Sequence, residues 1–71
     1  VIIVELTASL KRGELVPLAK KRELYEKLKG VKVTEIVVVT PFVDDRDPER
    51  LIAVAKSMGI RVITPVELVE Q

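Results

Sequence analysis

Glu5 and Thr7 stand two residues apart at the end of the apolar run VIIVEL, and Lys21 and Tyr25 lie one helical turn apart in LAKKRELYEKLKG. A carboxylate at the end of a buried strand can serve as an acid, a base or a ligand, and a lysine on the apolar stripe of a helix must reach water or meet an anion. The competing chemistries are few. The 71 residues contain no histidine and no cysteine, which removes the commonest general base, the commonest metal ligand, disulfides and cysteine zinc sites. Site chemistry must come from Asp, Glu, Lys, Arg, Ser, Thr or the single Tyr25.

The elements that must position these groups follow from the pattern of apolar residues. Val1 to Leu6 is a short β-branched run of the kind buried on both faces of a parallel sheet, and Thr7 to Gly13 is a polar, basic turn. Glu14 to Lys29 reads as a helix, with Pro17 tolerated in its first turn and Gly30 just past its end. Glu35 to Thr40 is a second buried strand. Asp47-Pro48 opens a second helix as N-cap and first helical residue, Leu51, Ile52, Val54, Ala55 and Met58 form its apolar side, and Gly59 ends it. Ile60 to Ile63 is a third strand, and Thr64-Pro65-Val66-Glu67 has the spacing of a capping box that begins a last helical turn. The order βαβαβ predicts an α/β fold: a three-stranded parallel sheet with flanking helices and right-handed crossovers.

Strand alternation puts Val1, Ile3, Glu5 and Thr7 on one face, so Glu5 interrupts an apolar face near the carboxyl end, where parallel sheets bind ligands. A glutamate at the exposed tip of a sheet, or in a salt bridge, accounts for it equally. On the first helix, Leu18, Leu24, Tyr25 and Leu28 form an apolar stripe with Leu15 and Pro17 at its margins. Lys21 falls near the middle of that stripe, while Lys20, Glu23 and Lys27 occupy the opposite face. A lysine so placed must either reach out to water past Tyr25 or meet an anion, for which Glu5 is a candidate.

A net charge of +1 gives no global attraction to nucleic acid, which leaves local patches. Lys11, Arg12, Lys20 and Arg22 form one around the first loop and helix and are candidate phosphate contacts. Glu14, Glu23 and Glu26 lie close by, so a solvated charged face is the competing account, and no aromatic residues are interleaved to stack bases. Asn is absent, Gln71 is the only Gln and almost a third of residues are charged, the pattern expected of a hyperthermophile's protein. No apolar run reaches the length of a membrane span and no signal peptide is visible, so the cytoplasm is the expected location. Residue 1 already lies inside an apolar run. Residues 1–71 are therefore expected to form a single compact α/β fragment of something longer, its open edges covered by homo-oligomerisation or by a missing N-terminal segment.

The runs VIIVELTASLKRG, LAKKRELYEKLKG, TEIVVVTPFVDDRDPE and AKSMGIRVITP together resemble the carboxyl-terminal half of PD-(D/E)XK nuclease-like proteins, with the closest likeness to families from hyperthermophilic archaea. In that superfamily an acid and a lysine spaced E-x-K lie on a core strand followed by a helix and a strand. An aspartate from a preceding strand completes a divalent-metal site that cleaves phosphodiesters. The resemblance implies a restriction-endonuclease-like fold, Glu5 as catalytic acid and ligand of Mg²⁺ or Mn²⁺, and DNA as partner. It also matches Tyr25 to the tyrosine of the Q-x-x-x-Y element of the RecB-like branch. Two positions depart from the pattern: Thr7 stands where the lysine belongs, and Lys21 stands where the glutamine belongs. Lys21 is then the candidate substitute for the strand lysine, with Thr7 and Tyr25 in support. The implied function is a fragment of a metal-dependent DNA nuclease, inactive in isolation or degenerate. The alternative is a non-enzymatic oligomerisation or nucleic-acid-docking module. Asp45-Arg46-Asp47 is also similar to the D-x-D of Toprim domains, although Asp47 is more simply the cap of the second helix.

Overall fold

A computed structural model describes residues 1–64, so the turn expected from Thr64 onward lies outside the described residues. The described chain runs β1 (Ile2–Leu6), a 3₁₀ turn (Arg12–Glu14), α1 (Leu15–Lys29), β2 (Glu35–Val39), α2 (Pro48–Ser57) and β3 (Ile60–Ile63). The strands are β-branched runs that suit a pleated surface. The helix ends carry the expected chemistry. Asp47 caps α2 by accepting from the Arg50 amide at 3.1 Å, with Pro48 as the first helical residue. Gly30 closes α1 in the left-handed region at φ 63°, its amide donating to the Glu26 carbonyl at 2.9 Å.

The three strands are parallel in the order β1-β2-β3, with Ile3 beside Ile36 and Glu5 beside Val38, and with Ile60 and Val62 completing those rows. Two right-handed crossovers that step in the same direction leave both helices on the same face of the sheet. The core shows it: Leu15 of α1 and Leu51 and Ala55 of α2 join Ile36, Val38 and Ile60 in a single buried cluster, with Ile3, Leu18 and Val62 packed against it. The opposite face is bare. Ile2, Val4 and Leu6 are 54 %, 59 % and 77 % exposed, and Val37, buried by its strand neighbours, stands apart from the cluster. The expectation that Val1–Leu6 is covered on both faces is therefore corrected for β1. Double coverage needs a strand order that reverses, and here it never does.

The inward side of α1 also differs from expectation. Leu15 is buried, and Leu18, Arg22 and Glu26 are partly so, whereas Leu24, Tyr25 and Leu28 are exposed. The helix is rotated so that Lys21 flanks the buried side instead of centring it. The cause is polar. Arg22 turns inward, its Nη2 donating to the Val33 and Thr34 carbonyls at 3.0 and 3.3 Å and its Nη1 to the Met58 carbonyl at 3.4 Å. Glu26 accepts from the Val33 amide at 2.8 Å. These bonds satisfy backbone groups at the entries to β2 and β3 that would otherwise lack partners. Gly59 completes the fit: it holds φ 75°, and a Cβ there would lie 2.7 Å from Arg22 Nη1.

The loops beyond the strands are tied as well. Leu10 pairs with Val43 in an isolated parallel bridge, its amide donating to Phe42 and its carbonyl accepting from Asp44. Leu10 is 1 % exposed, so the basic turn after β1 contributes a core residue and runs beside the acidic loop after β2.

Replacing Arg22 by Met removes a charged donor from three carbonyls and is expected to lower unfolding free energy by about 2–4 kcal/mol. Gly59→Ala, forced into a left-handed backbone against the guanidinium, is expected to cost at least about 1 kcal/mol. Lys27→Met on the solvated side of α1 should stay within about 0.5 kcal/mol. Denaturant unfolding midpoints at constant slope measure all three.

Candidate active site

Glu5 projects from the covered face of β1 near its carboxyl end, and the Lys21 ammonium, carried on α1, donates to its Oε1. The glutamate side chain is 28 % exposed and the lysine 58 %. Both line a solvent-open cavity of about 300 Å³ between the end of β1 and the first half of α1, which Thr7 and Glu14 also line. Leu10, Leu18 and Val38 supply apolar wall. Sheet order dictates this position: the carboxyl edge of a parallel sheet is where strands stop and helices have not yet closed over them.

Thr7 sits beside Thr40 at the ends of paired strands, and the two act alike. Thr7 Oγ1 donates to the Ser9 carbonyl at 2.9 Å, and Thr40 Oγ1 to the Phe42 carbonyl at 3.0 Å. Each hydroxyl turns its chain away from the sheet. With its proton so engaged, Thr7 offers the cavity an oxygen acceptor and no charge.

Glu14 is the site residue that sequence reasoning missed. It was legible: counted at 100° per residue, Glu14, Leu18, Lys21 and Tyr25 share one stripe. Its Oε2 accepts from the Lys11 amide at 3.2 Å. Tyr25, one turn beyond Lys21, is 37 % exposed and is not part of the cavity wall.

The basic residues divide. The Leu10–Val43 bridge sets Lys11 against Asp44 at 3.9 Å and Arg12 against Asp45 at 2.7 Å. Lys20 is exposed and makes no ion pair among the described residues. Arg22, expected with them as a phosphate contact, instead faces inward and bonds backbone carbonyls, because it lies on the packed side of α1. The acids after β2 are engaged as well. Asp45 Oδ2 accepts from the Asp47 amide at 3.0 Å and from Arg12, and Asp47 caps α2. Neither shares the cavity of Glu5, so the Toprim-like reading of Asp45 and Asp47 finds no acid cluster here. The Asp47 amide, and secondarily Arg12 and Arg46, hold the Asp45 carboxyl below its ordinary value of 3.8 against the opposing effect of partial burial.

No group of three or more acidic side chains that could hold a metal ion occurs among the described residues. The donors that do line the cavity, the Glu5 and Glu14 carboxylates, are hard oxygens. They fit Mg²⁺ or Mn²⁺, since such a cation keeps several waters and takes one or two carboxylates with substrate phosphate completing its shell.

Residues 1–61 match the family model of the PD-(D/E)XK nuclease superfamily. No curated protein and no solved structure matches the chain. The match covers most of the 71 residues, and the chain belongs to that superfamily.

Because the carboxyl of Asp45 is depressed in the folded chain, its contribution to stability is present above pH 3.8 and is lost as pH falls through the lower folded value. The stability difference between the parent chain and Asp45→Asn should therefore be constant near neutrality and shrink on acidification below that point. Unfolding curves collected across a pH series measure it.

Proposed function

We propose that this member of the PD-(D/E)XK nuclease superfamily forms part of a divalent-metal-dependent DNA phosphodiesterase, with Glu5 as the metal-holding acid and Lys21 in place of the lysine that Thr7 replaces on the strand. One observation carries the reading: residues 16 positions apart, on a strand and on the following helix, bring a carboxylate and an ammonium into contact at the carboxyl edge of the sheet.

Superfamily members generally use divalent metals. Bound at Glu5, Mg²⁺ or Mn²⁺ would polarise the scissile phosphate and lower the pKa of an attacking water. Glu5 holds its carboxylate in the cavity wall. Lys21 carries positive charge on a mobile stem within reach of the same point, where it offsets charge that builds on the phosphate. Thr7 supports the site as an acceptor, and Tyr25 stands one turn outside it. Lys20, exposed on α1, and Lys11 and Arg12 on the loop before it are the proposed phosphate contacts.

Two carboxylates alone make an open site, and residues 1–71 by themselves are proposed to be inactive. A further acid is proposed to arrive on a strand paired to the free edge of β1, from an N-terminal segment or a second copy. A second reading, a non-enzymatic assembly or docking module, is favoured by a different observation, the bare apolar face of Ile2, Val4 and Leu6.

Cleavage of duplex DNA by the longest natural form of the protein, with Mn²⁺ or Mg²⁺ present, decides between them. Glu5→Gln and Lys21→Met are each expected to lower the rate by roughly 10²–10³-fold. An unchanged rate in Lys21→Met removes the lysine from the mechanism, and absence of cleavage by the unmodified protein favours the module.

A further inference from the structure

We infer that the Lys21–Glu5 ion pair is a resting-state plug: the ammonium sits on Oε1 of the carboxylate that an incoming divalent cation would use, so cation and lysine compete for Glu5. The inference rests on the metal reading above and concerns what the chain does before metal or DNA arrives.

The geometry supplies three parts of the argument. The contact is direct, from Lys21 Nζ to Glu5 Oε1, with no intervening group. The two partners differ in freedom: Glu5 is fixed on a strand with its side chain 28 % exposed, while Lys21 is 58 % exposed on a long stem. Displacement therefore moves the lysine and leaves the acid in place. The cavity they share is open to solvent and also lined by Glu14, so a displaced ammonium stays tethered in a wall that still carries negative charge.

Magnitudes make the plug releasable. An ion pair this exposed is weak, so it biases the site against cations without sealing it. A divalent cation and an ammonium on one carboxylate also repel each other, which adds to the bias. Together these effects put the penalty on cation affinity at about three- to tenfold. A buried pair would have blocked the site outright. The competition also has a direction: a cation on Glu5 loosens the lysine, and before then the lysine neutralises the acid that would repel a phosphate.

Calorimetric titration of the longest natural form of the protein with Mn²⁺ tests this without reference to catalysis. Lys21→Met is expected to tighten Mn²⁺ binding by about three- to tenfold, since the competitor is gone while the apolar stem is retained. Lys27→Met, which removes a charge on the other side of α1, is expected to leave affinity unchanged and so controls for net charge. Glu5→Gln is expected to abolish the binding. In parallel, amine labelling read by mass spectrometry should show Lys21 reacting faster when Mn²⁺ is present and Lys27 reacting equally in both conditions. Mn²⁺ binding that depends on Glu5 but is equal or weaker in Lys21→Met overturns the plug and leaves the metal reading standing. Absence of any Glu5-dependent Mn²⁺ binding, in either the parent chain or Lys21→Met, overturns the metal reading and the plug with it.

Discussion

Everything distinctive in this chain follows from a sheet covered on one side. Three parallel strands in sequential order, linked by crossovers of the same hand, leave both helices on a single face. That face holds the buried cluster, and because α1 begins close to the end of β1, it also holds the cavity that Glu5 and Lys21 share. The other face is left with Ile2, Val4 and Leu6 in water and one ion pair, Glu35 with Arg61 at 3.3 Å. A larger sheet of the same kind would bury both faces.

Within this frame the polar ties decide how the helix is turned. Arg22 and Glu26 anchor α1 to the backbone before β2 and after α2, and that anchoring moves Leu24, Tyr25 and Leu28 outward. Lys21 follows from the same rotation. One position N-terminal to Arg22, it lands at the margin of the packed side, where its stem can cross the sheet edge and its ammonium can meet Glu5. The inward arginine and the site lysine are consequences of one helix orientation. The bridge between Leu10 and Val43 performs a similar service for the loops, drawing the basic and acidic turns together so that their charges pair within the chain.

The element order, the parallel sheet and both helix caps were legible in the sequence, because periodicity and terminal residue types are local signals. Asp47-Pro48 and Gly30 fall where the pattern puts them, and Ile60–Ile63 is reproduced without shift. The pairing of Glu5 with Lys21 could also be read, since strand parity and helical spacing each constrain direction. The misplaced features are those that local signals cannot carry. The rotation of α1 depends on an arginine finding carbonyls at Val33, Thr34 and Met58, distant in sequence. By hydropathy alone the leucines and tyrosine outvote it. The bare face of β1 depends on strand order, which an apolar run of six residues does not encode. Glu14 was overlooked because it reads first as a helix-start residue, although it shares a stripe with Lys21.

The register has a consequence for how the chain reaches this state. Ile2 pairs with Glu35 and Ile36 with Ile60, so no strand has a neighbour it can find without first closing a loop through an entire helix. Such non-local pairing is slow for a chain of this size. The central strand β2 must wait for both crossovers, and until then its run of valines has open backbone on two sides. Time spent in that condition exposes the chain to pairing with other molecules, a hazard set by topology that no strengthening of the finished core would shorten.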